Sequence, residues 1–152
     1  MAANPMYQFN VYRIGPEIKL GEVDLSFTNA SLFMVISSIA IILFFGLGSK
    51  RNSLIPNKIQ LISELSYTFV SKMISDTAGS NAKPYFSFIF SLFMFILFCN
   101  MFGMIPYAFT VTSHIIVTFV LASFIFFGVT IIGFIKHGFG YLKLFVPSGV
   151  PV

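Results

Sequence analysis

The chain has 152 residues, 57% of them hydrophobic and only 9% charged, where a soluble domain carries about 25% charged residues. That balance makes a bilayer, not water, the main solvent of what is long enough to be one domain. Nine Lys and Arg against five Asp and Glu give a net charge of +4. The basic residues are too few and too scattered for a nucleic-acid patch, so no nucleic-acid partner is expected and their placement speaks to membrane topology.

Residues 1–27 are expected to form an N-terminal segment outside the membrane. Phe9, Val11, Tyr12 and Ile14 are apolar, and Gly15-Pro16 interrupts any regular element. Arg13, Glu17, Lys19, Glu22 and Asp24 break up the apolar character, so no cleavable signal pattern is evident. From Leu25 to Ser49 there is no charged residue, and about 20 apolar residues suffice to cross the hydrocarbon core. A first span is placed at 28–49, starting near Thr28 or Asn29 and closed by Lys50-Arg51.

Residues 57–76, "NKIQLISELSYTFVSKMISD", read as an amphipathic helix. Ile59, Ile62, Leu65, Phe69, Val70, Met73 and Ile74 recur at steps of three and four, which places them on one helical face. Lys58, Glu64, Ser71, Lys72, Ser75 and Asp76 fall mostly elsewhere. Such a helix is too polar to span and is expected along the inner membrane surface. A helix packed on a soluble core would share the pattern, but both neighbours have span composition. "TAGSNAKP" then reads as a loop.

Pro84 to Ile135 holds no Asp, Glu, Lys or Arg. This is too long for one span and fits two, at 85–106 and 111–136, joined by a turn at Gly103 and Pro106. Lys136-His137 ends the last span, and residues 137–152, rich in Gly and Pro, are expected as an inner loop. The expected fold class is therefore an all-α membrane protein with three transmembrane helices, a single span followed by a hairpin, plus an amphipathic surface helix. Lys50, Arg51, Lys58, Lys72 and Lys83 lie in one connection, Lys136 and Lys143 follow the third span, and the turn between spans two and three has no basic residue. The positive-inside rule puts the basic segments in the cytoplasm or matrix and the N-terminus and polar turn outside.

That turn gathers the chemistry. Thr110, Thr112 and Ser113 suit turn and capping roles, with Thr112 or Ser113 available as N-cap of the next helix. Asn100 falls ~7.5 Å inside the outer end of its helix, where an unpaired amide costs about 1–3 kcal/mol. It either bonds a neighbouring helix or lines a wet cavity. His114 begins the third span, and His is the side chain whose ordinary pKa lies near neutrality. It is either an interface anchor or a proton-accessible group at the mouth of an aqueous pathway. Thr118 sits one turn below it, at i+4. Cys99, the sole cysteine, reads as a small buried hydrophobe.

"NMFGMIPYAFTVTSHIIVTFVLA" resembles the subunit a family of F-type ATP synthases, in its alphaproteobacterial and mitochondrial forms, with an Asn-x-x-Gly-Met-x-Pro-Tyr turn followed by a Thr-rich step into His. "DLSFTNASLFM" and "GFIKHGFGYLKLFVPSGVP" resemble the same family, so the likeness runs in order along essentially the whole chain. The resemblance implies a proton-translocating stator subunit, partnered by the c-ring, the peripheral-stalk b subunits, protons and the lipid bilayer, in a bacterial inner or mitochondrial inner membrane. Asn100 matches the family's Asn near the outer half-channel and His114 the His of its alphaproteobacterial and yeast-like forms, which makes both proton-path candidates, with Ser113 and Thr118 as further ones. No catalytic residue, metal or cofactor is implied.

The family fold continues past "PSGVP" into two tilted helices that wrap the c-ring and carry an essential Arg. Among these 152 residues the arginines are Arg13 and Arg51, both outside the apolar spans. The chain is accordingly read as the N-terminal portion of such a subunit, one that on its own does not couple proton flow to synthesis. Two other readings are a piece of a secondary transporter, which expects internal repeats the sequence lacks, and a structural membrane anchor, which needs neither Asn100 nor His114. No nucleotide loop, metal-ligand set or nucleophile–base pair suggests an enzyme active site.

Overall fold

Hydrocarbon leaves a backbone nowhere to hydrogen-bond except to itself, and the apolar runs of this chain are helical for that reason. The computed structural model describes residues 10–17, 19–20, 23–24, 26–49, 57–106 and 108–145. Four long helices dominate them: α1 (Asn29–Ser49), α2 (Lys58–Ala78), α3 (Phe86–Gly103) and α4 (Ile115–His137). Three stretches are long and apolar enough to cross a membrane, Asn29–Ser49, Ala82–Gly103 and Ile115–Leu142. Lys50-Arg51 and the "PSGVPV" end lie outside the described residues.

Asn29 sets the beginning of α1 and holds the preceding segment against it. Its Oδ1 accepts from Ala30 N and Tyr12 N, both at 3.0 Å, and its Nδ2 donates to the Asn10 carbonyl at 2.9 Å. The side chain is buried, so these bonds satisfy an amide that would otherwise be costly. Backbone bonds from Asn29 N to Tyr12 O and from Ile14 N to Phe27 O complete the return of the chain. Between them lies a ladder absent from the all-α expectation: β1 (Lys19–Leu20) pairs antiparallel with β2 (Val23–Asp24). Two residues a side give no 2.0 periodicity long enough to be read from sequence.

Asn57 caps α2, its side chain accepting from Lys58 N at 2.8 Å. Gly79 ends it at φ +69°, with its N–H on the Ser75 carbonyl, a conformation that favours glycine. Ser80–Tyr85 forms a 3-10 turn that runs directly into α3 through the bond from Phe86 N to Lys83 O. Where the sequence suggested a plain loop, Pro84 is accommodated in tight helical turns.

The chain divides into two compact units, Met1–Ser113 and His114–Val152. In the first, α1 packs on α2 and α3, and α2 also touches α3. Met94 and Cys99 of α3, Val70 and Ile74 of α2, and Phe109 and Val111 beyond α3 are its buried apolar residues. Aromatic pairs link the helices, Phe44 with Phe98 at 5.9 Å and Phe45 with Phe90 at 5.2 Å between ring centroids. In the second unit, Gly138 at φ +54° turns the chain after α4 into a 3-10 stretch, Gly138–Phe145, where the sequence suggested a loop. This folds the Tyr141 ring against Gly133, where no Cβ would fit.

The apolar set expected on one face of α2 divides between two surroundings. Val70 and Ile74 are buried, but Ile62, Leu65 and Phe69 are 53%, 58% and 60% exposed. Gln60 and Ser63 take the inward positions instead. The reason is the closeness of α1: a Cβ on Gly48 would lie 2.6 Å from Ser63 Oγ and 3.1 Å from its Cβ. Membrane helices approach this closely only through small residues.

Replacing Gly48 by Leu is therefore expected to separate α1 from α2 and to lower stability by about 1–3 kcal/mol, the usual cost of overpacking. Thermal unfolding in detergent, with Gly48→Ala measured alone and beside Ser63→Gly, checks the origin. Partial rescue by the second change is the expected result.

Candidate functional site

The polar turn is organised by hydrogen bonds that close on α3. At the end of the helix Met104 N reaches the Asn100 and Met101 carbonyls, and Ile105 N reaches Phe102 O. Pro106 follows in a turn closed by Ala108 N on Ile105 O at 3.0 Å, at the i+1 position where its fixed φ suits it. The chain then passes over Gly103 so closely that a Cβ there would lie 2.6 Å from Thr110 Cγ2. Thr110 Oγ1 donates to the Gly103 carbonyl at 3.2 Å, which secures the crossing.

Two apolar side chains anchor this segment. Phe109 and Val111 are 4% and 1% exposed, and the Phe109 ring lies 6.1 Å from that of Phe33 on α1. Sequence reasoning gave these two no role. Their signal is the alternation in "FTVTS", where Phe109 and Val111 point inward between Thr110 and Thr112. The alternation delivers Thr112 to Asn100: Thr112 Oγ1 donates to Asn100 Oδ1 at 2.6 Å. Asn100 itself is exposed. Ser113 Oγ donates to the Thr110 carbonyl at 2.7 Å.

Asn100, Gly103, Thr112 and Ser113 are thus brought together in the first unit. The second unit begins with His114, half-buried, whose carbonyl accepts from Val117 N at 3.1 Å and Thr118 N at 3.3 Å. Thr118 Oγ1 donates to Ile115 O at 3.1 Å and to His114 O at 3.4 Å, so the two candidates share one helical turn. His114 is the N-cap of α4, with φ −84° and ψ 118°, and no side chain caps that helix. This corrects the expectation that Thr112 or Ser113 would do so. Both hydroxyls are committed to the turn instead, one to Asn100 and one to Thr110.

Below the turn, Cys99 is buried close to Ser37 of α1, whose hydroxyl donates to Phe33 O at 2.8 Å. The small pair lets α1 and α3 approach directly beneath Asn100. The arrangement can present a carboxamide and a row of hydroxyls at the end of an uncharged helix. These groups orient water and relay hydrogen bonds, and none is a nucleophile with a base beside it.

Residues 31–152 match the family described as ATP synthase A chain. The chain is 85% identical over 151 residues to ATP synthase subunit a of Pelagibacter ubique, covering 99% of this chain and 62% of that protein. It is 54% identical over 149 residues to the subunit a of Parvibaculum lavamentivorans, covering 98% of this chain and 57% of the relative. For that of Rhizobium meliloti the identity is 52% over 151 residues, with 99% and 60% covered. The chain therefore spans about three fifths of the length of these relatives. With three helices of membrane-spanning length and a family match over most of its residues, the chain is an integral membrane protein that belongs to the ATP synthase A chain family.

Proposed function

We propose that these residues contribute the outer half-channel of a proton-translocating stator subunit in an F-type ATP synthase, beside the c-ring and held by the peripheral-stalk b subunits. The observation that carries this reading is the exposed Asn100 carboxamide, bonded to Thr112 at the end of α3, a helix with no charged residue. A polar group at such a position bonds a neighbouring segment or lines a water pathway, and its exposure favours the second. In this reading Asn100 orients entering water, Thr112 and Ser113 extend the polar surface, and His114 and Thr118 at the start of α4 are further proton-path candidates. Gly103 and Pro106 shape the turn.

The topology of the reading follows the basic residues. Lys58, Lys72, Lys83 and Lys136 lie on the inner side, the N-terminal segment and the polar turn outside, and α2 along the inner surface. The exposed apolar edge of α2, with Ile62, Leu65 and Phe69, is the side that lipid would cover. The chain makes and breaks no covalent bond, serving as a non-catalytic subunit of the synthase. The family's arginine facing the ring carboxylate has no counterpart in Arg13, which is exposed and paired with Glu17 at 2.7 Å. The role assigned to these residues is therefore water access.

The hydrogen bond between Asn100 and Thr112 also suits the anchor reading, in which it only braces the turn. Proton conduction separates them. In the assembled complex, Asn100→Leu is expected to lower passive proton conduction of membrane vesicles about five- to tenfold, the factor for a lost hydrogen bond of about 1–1.5 kcal/mol. His114→Leu is expected to lower it by a smaller factor, with complex content unchanged on blotting. Unaltered conduction in both variants would leave the anchor. In detergent, a double-mutant cycle of Asn100→Ala with Thr112→Val is expected to give a coupling of about 0.6–1.7 kcal/mol in thermal stability.

A further inference from the structure

A cavity of about 250 Å³ lies where α2 ends and α3 begins, lined by Tyr67, Ser71, Ile74, Ser75, Lys83, Phe86 and Ser87. It is separate from the polar turn, which lies at the other end of α3. Its volume is that of roughly eight waters, too small for a large organic ligand and ample for a phosphate group. Three hydroxyls of serine and one of tyrosine supply donors, Lys83 supplies the only formal charge, and no carboxylate is among the lining residues. Donors with a single cation and no opposing anion are the chemistry that receives a phosphodiester.

The surroundings name the source of the phosphate. Lys83 falls in the first turn of the Ala82–Gly103 stretch, and a lysine at the end of a membrane span reaches the headgroup layer. It is held there because the 3-10 turn continues into α3 through Phe86 N on Lys83 O. Ile74 forms a buried floor, whereas Ser75, Lys83 and Ser87 are exposed at the rim. From the cavity an aromatic ladder runs along the span: Tyr67 lies 4.7 Å from Phe86, Phe86 stacks on Phe90 at 5.4 Å, and Phe90 meets Phe45 at 5.2 Å. A polar seat continuous with an apolar track matches a molecule with a phosphate head and an acyl tail.

We propose that this cavity seats the phosphate of an anionic phospholipid, with Lys83 as its charge partner and its acyl chain along the Phe86–Phe90 ladder. Basic pockets at the inner ends of membrane helices bind such headgroups. The site clamps α2 to the start of α3 from outside the protein. It rests on the proposed topology, with the Lys83 end of α3 facing inward, but stands or falls independently of the proton path.

The test is native mass spectrometry of the detergent-solubilised membrane complex that contains this chain, titrated with phosphatidylglycerol or phosphatidylcholine. Retention of phosphatidylglycerol over phosphatidylcholine is expected, lowered about fivefold by Lys83→Gln. Lys83→Arg should keep it, as should Lys58→Gln, which removes a cation outside the cavity. Ser71→Leu, which fills the cavity without touching charge, should also lower retention. Equal retention of the two lipids overturns the proposal. So does a Lys58→Gln loss as large as that of Lys83→Gln, which would mean general surface charge. Displacement of the lipid by an equal concentration of inorganic phosphate overturns it in favour of a free-phosphate site.

Discussion

A bilayer core offers no hydrogen-bond partner, and every polar group of a span must find one within the protein. Four hydroxyls along these helices obey that constraint in the same way. Ser37, Ser38, Ser91 and Thr130 each donate to the carbonyl four residues earlier, at 2.7–2.9 Å. Bonded to their own helix, they become small, nearly apolar residues, which suits close helix contacts. Ser37 against Cys99 and Ser63 against Gly48 are where α1 meets α3 and α2. The same constraint makes Asn100 conspicuous. Its carboxamide has too many polar atoms to satisfy by folding back, so the chain beyond α3 returns to meet it.

That return depends on apolar anchorage, not on the polar groups themselves. Phe109 and Val111 are buried, and their seats fix the Thr residues between and beside them. A hydroxyl held this way reaches Asn100 at 2.6 Å with little conformational freedom left to lose. The glycine at 103 is required because Thr110 passes within a methyl's breadth of it. Site geometry and core packing are thus one structure, and a change in Phe33 or Phe109 is expected to be felt at Asn100.

Helix α2 answers to three environments at once. Gln60, Ser63, Val70 and Ile74 face the protein, Ile62, Leu65 and Phe69 lie exposed, and Lys58, Glu64, Lys72 and Asp76 carry the charge. A two-sided amphipathic helix would need only one apolar and one polar stripe. Here the protein-facing stripe is partly polar because α1 comes too near for bulk, and the apolar bulk is displaced outward. The cavity at its C-terminal end lies beside the same helix, where Ser71 and Ser75 turn toward Lys83 and Ser87.

What the sequence by itself determined was the list of elements: the uncharged runs, the amphipathic period between them, the break at Gly103 and Pro106, and the family to which the polar turn belongs. These are legible because bilayer thickness and helical period act on composition over many residues, and single side chains hardly disturb them. Only the tertiary structure decided which side chains meet. That Thr112 serves Asn100 and not the cap of α4, that Ser63 and not Ile62 faces α1, and that Asn29 holds the chain back to Asn10 are contacts between residues distant in sequence. The first two rest on close approaches that a glycine makes possible, at Gly103 and at Gly48, and no local pattern encodes a distance between segments.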